Sequence, residues 1–137
     1  MKRRDLLRKQ HANKRQTTSV RKISETLIDF AQPIIELIDD DTTEEQIEMG
    51  FVLVVTVWNS LVFEVVKNDP SYVETLWKSI YEMEVEDGIA LMEALIARKR
   101  KKFNDDLRAI ADYSISYSGG YLNVKADARL VTGKGIN

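Results

Sequence analysis

"FVLVVTVWNSLVFEVV", residues 51–66, decides the fold. Its β-branched residues suit strands, and Asn59 with Ser60 could turn them into a hairpin at the centre of the chain. The residues before it argue for a helix. In "DDDTTEEQ", residues 39–46, Thr42 and Glu45 have capping-box spacing, and acids in a first turn complement the helix dipole. The apolar positions then run on through both three- and four-residue steps and alternation, as expected of a helix surrounded on all sides. This reading predicts a central helix in which Thr56, Asn59, Ser60 and Glu64 are embedded and require partners, because an unpaired buried polar group costs on the order of 1–3 kcal/mol. Met49 to Val66 is also the one candidate membrane span. It falls short of the roughly 20 residues a bilayer helix needs and contains Asn59 and Glu64, so no membrane contact is expected.

Outward from this segment the pattern stays helical. In "SVRKISETLIDFAQPIIELI", residues 19–38, Val20, Ile23, Leu27, Phe30, Ile34, Ile35 and Ile38 recur at helical steps, and Pro33 should kink the helix near Asp29 to Gln32 or split it in two. After the central segment, Asn68 or Asp69 caps and Pro70 opens a third helix with Val73, Leu76, Trp77, Ile80 and Met83 on its stripe. Asp87 is expected to cap a fourth near Gly88. Its stripe runs through Ile89, Met92, Leu95 or Ile96, then Phe103, Leu107, Ile110 and Ala111, giving a helix of about 24 residues. Past Tyr113 the period becomes two. Folding the chain about Gly119 and Gly120 pairs Tyr113 with Ala126, Ile115 with Val124, Tyr117 with Leu122 and Ser118 with Tyr121, one face apolar and the other polar. The expected fold class is therefore mainly all-α, a four-helix bundle-like domain over residues 19–130 with a C-terminal two-stranded hairpin at 113–126. A basic N-terminal arm, 1–18, precedes it, and a fraying tail, 131–137, follows.

The net charge of −2 hides three blocks. Residues 1–23 carry nine Lys or Arg against Asp5, residues 24–93 carry seventeen acids against Lys67 and Lys78, and residues 94–137 carry nine cations against four acids. Like-charge blocks serve as arms, solvated faces or docking surfaces. The five consecutive cations Arg98, Lys99, Arg100, Lys101 and Lys102 are the candidate anion-binding edge, helped by Lys2, Arg3, Arg4, Arg8, Lys9, Lys14 and Arg15 of the arm. At least one of the five must lie over the apolar seam, snorkelling or paired with an acid. Lys101 with Asp105, Lys102 with Asp106 and Arg108 with Asp112 have the four-residue spacing of helical ion pairs, which leaves Arg98, Lys99 and Arg100 as the expected free donors. Trp58 and Trp77 fit core stripes. Tyr121 is the one aromatic suited to stacking on a base, provided the hairpin folds back toward the cations.

The order of helices, cationic helix and hairpin is similar to that of a winged-helix DNA-binding domain, which would imply a recognition helix followed by a wing. The length of the cationic helix, the lack of a short turn before it and the central apolar helix depart from that plan. Enzymatic readings are thin. The chain has no cysteine and one histidine, His11 in the arm, so thiol chemistry and a histidine relay in the core are excluded. Glu45 with Glu48 and Glu84 with Asp87 have spacing for Mg²⁺ ligands, similar to helical nucleotide pyrophosphohydrolases, but sit at helix ends, where acids serve capping and dipole roles. No cofactor is expected, and the absence of cysteine fits a cytoplasmic setting. The leading expectation is a non-enzymatic binding or regulatory module for nucleic acid or an acidic protein. The alternatives are a homodimeric interaction protein whose acidic and basic blocks pair, and a Mg²⁺-dependent nucleotide hydrolase.

Overall fold

The computed structural model describes residues 21–83, 87–118, 120–132 and 135–136. Among these, five helices precede a three-stranded antiparallel sheet: α1 (Ile23–Phe30), α2 (Gln32–Ile35), α3 (Glu44–Lys67), α4 (Ser71–Met83), α5 (Gly88–Lys102), β1 (Arg108–Ser118), β2 (Tyr121–Thr132) and β3 (Gly135–Ile136). The described residues are mostly helical with a C-terminal two-stranded hairpin, but their helices number five and are unequal, with one long helix at the centre. The basic arm residues lie outside the described residues.

Each boundary has a local cause. Proline has no N–H, so α1 stops at Phe30, Ala31 turns, and Pro33 opens α2 within its first two positions. The same absence leaves the Asp29 carbonyl, four residues earlier, without its helical donor. The apolar run 51–66 lies within α3, whose capping box uses Thr43 and Gln46, one residue later than the expected Thr42 and Glu45: Gln46 N donates to Thr43 Oγ1 at 3.1 Å and Thr43 N to Gln46 Oε1 at 3.0 Å. Thr42 is occupied by the preceding loop, accepting from Asp39 N at 2.9 Å. Asn68 ends α3 in the left-handed region (φ 50°), and Asp69 Oδ1 accepts from Ser71 N to start α4. Asp87 occupies the N-cap position of α5, also left-handed (φ 62°), without a capping bond from its side chain.

α3 packs against α2, α4, α5, β1 and β2. Phe51, Val54, Val57, Trp58 and Val62 are buried along it, and Phe30, Trp58 and Phe103 meet edge to face with ring centroids 5.1–5.9 Å apart. At 24 residues α3 is long and apolar enough to cross a membrane by length and composition. It is not enclosed on all sides, since Met49 and Val52 are exposed. Thr56 is exposed too and donates to its own helix at Val52 O, 2.7 Å away, instead of being embedded.

The hairpin has the register expected from alternation about the glycine pair: Tyr113 opposes Ala126, Ile115 opposes Val124, Tyr117 opposes Leu122 and Ser118 opposes Tyr121. It is longer than expected. Residues 108–112 belong to β1, with a register shift between Ile110 and Asp112, and β2 continues to Thr132, where Val131 pairs with Ile136 of β3 instead of fraying. The extra length is held by α3. Trp58 Nε1 donates to Arg108 O at 2.7 Å, while the Asn59 amide both donates to Ile110 O (3.0 Å) and accepts from Ile110 N (2.8 Å). Asn59 thus substitutes for a neighbouring strand. Asn59→Ala leaves both Ile110 groups unmet and is expected to lower the free energy of unfolding in urea by about 1–3 kcal/mol. Thr56→Ala, which removes an exposed hydroxyl, should leave stability within about 0.5 kcal/mol or raise it.

Candidate anion-docking site

The cationic helix stops at Lys102, not near Ala111, so its five charges occupy the last turn and a half, where they complement the negative end of the dipole. Each then has a distinct surrounding. Arg98 turns inward: its Nε and Nη2 donate to the Asp29 carbonyl at 3.1 and 2.9 Å, and Nη2 also reaches Asp29 Oδ1 at 2.9 Å. Arg21 holds the other oxygen of that carboxylate at 2.9 Å, and Asp29 is only 5% exposed. Arg100 pairs with Glu64 at 3.2 Å.

Lys99 is the cation over the seam, and it is buried, at 4% exposure. Its ammonium donates to Phe103 O at 2.6 Å and Asp106 O at 2.8 Å, and lies 4.4 Å from the centre of the Trp58 ring. It satisfies the carbonyl of the residue where the helix ends and that of the turn that follows. Burial pushes its pKa down from 10.5 to about 8, with Asp106 and Asp105 pulling the other way.

Because the helix ends, the expected pairs of Lys101 with Asp105, Lys102 with Asp106 and Arg108 with Asp112 do not form. Asp106 is taken by Arg108 in a forked contact of 2.6 and 2.9 Å. Burial raises the Asp106 pKa, but the hydrogen bonds and charge of Arg108 more than reverse this and leave it below the ordinary value. Arg108 also donates to Arg21 O at 2.8 Å, tying the start of β1 to the start of α1. The ammonium groups of Lys101 and Lys102 are exposed and bond to no other described residue.

These two lysines share an open groove of about 760 Å³ with Arg21, Asp105, Asp106 and Arg108. Arg21 Nε is a buried donor with no partner among the described residues. Of the expected binding residues, Arg98, Lys99 and Arg100 are thus engaged within the chain, and Lys101 and Lys102 remain available. Tyr121 sits exposed at the hairpin tip, and its partner Ser118 is ten residues along β1 from Arg108, up to roughly 33 Å of extended chain. The hairpin does not fold back to join it to the cations. Glu45, Glu48 and Asp87 are exposed at helix ends, Glu84 lies outside the described residues, and no group of three metal-ligating side chains occurs among the described residues.

Sequence reasoning missed Arg21, Asp29, Asp106 and Arg108. Pro33 signals that the Asp29 carbonyl lacks the N–H of the residue four positions on, but nothing local marks Arg98, 69 residues away, as a donor to it. No family model, curated protein or solved structure matches the chain.

Above about pH 8 the folded protein releases the Lys99 proton, while the unfolded chain keeps it up to about 10.5. The unfolded state then binds more protons, so this group adds stability as pH rises through that window and adds no pH dependence below it. NMR of the lysine side chains should show one residue titrating near pH 8, with its signal absent in Lys99→Met. Ordinary titration of every lysine would contradict the buried placement.

Proposed function

We propose that the protein is a non-enzymatic module that docks nucleic acid through its sugar-phosphate backbone. The observation that supports this is the grouping of Lys101 and Lys102, exposed and unpaired among the described residues, in one groove with Arg21. Uncompensated cations release counterions from a polyanion, and each such contact adds to affinity.

Arg98 and Arg108 commit their guanidinium groups to Asp29 and Asp106, Arg100 makes a single contact with Glu64, and Arg21 pairs with Asp29. Among the described cations lining the groove, Lys101 and Lys102 are the unpaired ones, and a lysine ammonium holds phosphate as a point charge. Tyr121 is too far along the hairpin to stack a base held at Lys101, so the contact is with backbone and indifferent to sequence.

The test is binding of the full chain to mixed-sequence single-stranded and duplex oligonucleotides over a series of salt concentrations, read by fluorescence anisotropy. A linear fall of log affinity with log salt is expected, its slope reduced by roughly 1–2 in Lys101→Ala/Lys102→Ala. No binding at low salt, or an unchanged slope in the double variant, overturns the proposal. Binding to polyglutamate but not to the oligonucleotides reassigns the groove to an acidic protein.

A further inference from the structure

β1 is an edge strand, and only its start is covered. Asn59 occupies the outer backbone groups of Ile110. The register shift that follows inserts one residue, and the two-residue turn closes on Ser118 and Tyr121. Alternation along an antiparallel ladder then directs the N–H and C=O groups of Ser114, Ser116 and Ser118 toward β2 and those of Tyr113 and Ile115 away from it. No other described element hydrogen-bonds to Tyr113 or Ile115 on that side.

The sequence along this open edge is Tyr113-Ser114-Ile115-Ser116-Tyr117, which reads the same in both directions and contains no charge. Open edges are ordinarily guarded by lysine, proline or a bulge. The bulge here lies before Tyr113, and from Tyr113 to Ser118 there is no guard, whereas β2 carries exposed Lys125 and Arg129. A palindromic strand is complementary to itself when paired antiparallel across a two-fold axis. An axis at Ile115 sets Ile115 opposite its own copy, Ser114 opposite Ser116 and Tyr113 opposite Tyr117. Tyrosine and isoleucine then share the face turned to the helices, serine shares the solvent face, and Asp112 meets Ser118 instead of a like charge.

A second feature lies beside the same edge. Val52, 52% exposed, is on the face of α3 that carries Asn59 and, with exposed Glu48 one turn before it, lines a cleft of about 370 Å³ beside Tyr113, Ser114 and Ile115. Met49, 59% exposed, is one turn away. Pairing of two β1 strands brings the two copies of this apolar face toward each other.

We infer that the protein forms a symmetric homodimer by antiparallel pairing of β1 with β1 of a second copy, centred on Ile115, with Met49 and Val52 of the two α3 helices closing beneath the joined sheet. The partner is another molecule of this chain because the edge is its own complement. The backbone groups of Ile115 bond to those of the opposite copy.

Two double variants test both the interface and its register. Ser114 and Ser116 are exposed, so neither variant disturbs the core, and circular dichroism checks the fold. Ser114→Lys/Ser116→Lys sets cations opposite each other at two symmetry-related places and is expected to weaken the dimer at least about tenfold. Ser114→Lys/Ser116→Glu sets opposite charges across the axis and should retain it. Sedimentation velocity of the full chain over a concentration series reads both. A wild-type chain that is monomeric throughout, two variants that dimerise alike, or two that are both monomeric would each overturn the inference.

Discussion

The burial of the Lys99 ammonium against the face of Trp58 is the constraint on which the rest of the structure depends. A charge in that position is tolerable only with donors and acceptors matched, and the carbonyls of Phe103 and Asp106 provide the match. To offer both carbonyls to one ammonium, the chain must leave the helix after Lys102 and turn back within a few residues. That turn delivers Arg108 and Ile110 to the side of α3, where the Trp58 indole and the Asn59 amide receive their backbone groups. Trp58 therefore joins the end of α5 to the beginning of β1, and the sheet is positioned on the helices by the same residue that shelters the buried lysine.

A second polar node lies next to it. Pro33 takes away the donor that the Asp29 carbonyl would have in an unbroken helix, and the Arg98 guanidinium supplies two in its place. Arg21 completes the shell of the Asp29 carboxylate, and Arg108 links Arg21 to Asp106. Buried pairs of this kind add little net stability compared with apolar residues of the same size, but leaving one member uncompensated is costly, about 3–5 kcal/mol. Their effect is to fix where α1, α5 and β1 meet. They also divide one run of cations into two classes, those that hold the fold and those that face solvent, and the proposed docking role rests on the second class alone.

The hairpin register was legible because strand alternation is local and both arms agree about one glycine pair. The break at Pro33 was legible because proline chemistry acts within one turn. The helical reading of residues 51–66 followed from the acidic, capped start of that segment, although the sequence did not distinguish Thr42 from Thr43 as the cap. The end of the cationic helix was not legible, since Phe103, Leu107 and Ile110 prolong an acceptable helical stripe even though they belong to a turn and a strand. With that boundary misplaced, the four-residue spacing of lysines and aspartates suggested pairs that do not exist, and the cations judged free were the ones engaged. Which arginines are engaged depends on contacts between residues 36 to 87 positions apart, such as Arg100 with Glu64 and Arg108 with Arg21, and no local pattern encodes them.

The most direct test of this division is limited acylation of the native protein at neutral pH, followed by mass spectrometry at residue resolution. Lys101 and Lys102 should react readily, while Lys99, within the same helical turn, should stay protected until the chain is unfolded. Equal reaction of Lys99 and Lys101 in the native protein would contradict the buried ammonium and the arrangement of α5, β1 and the groove that follows from it.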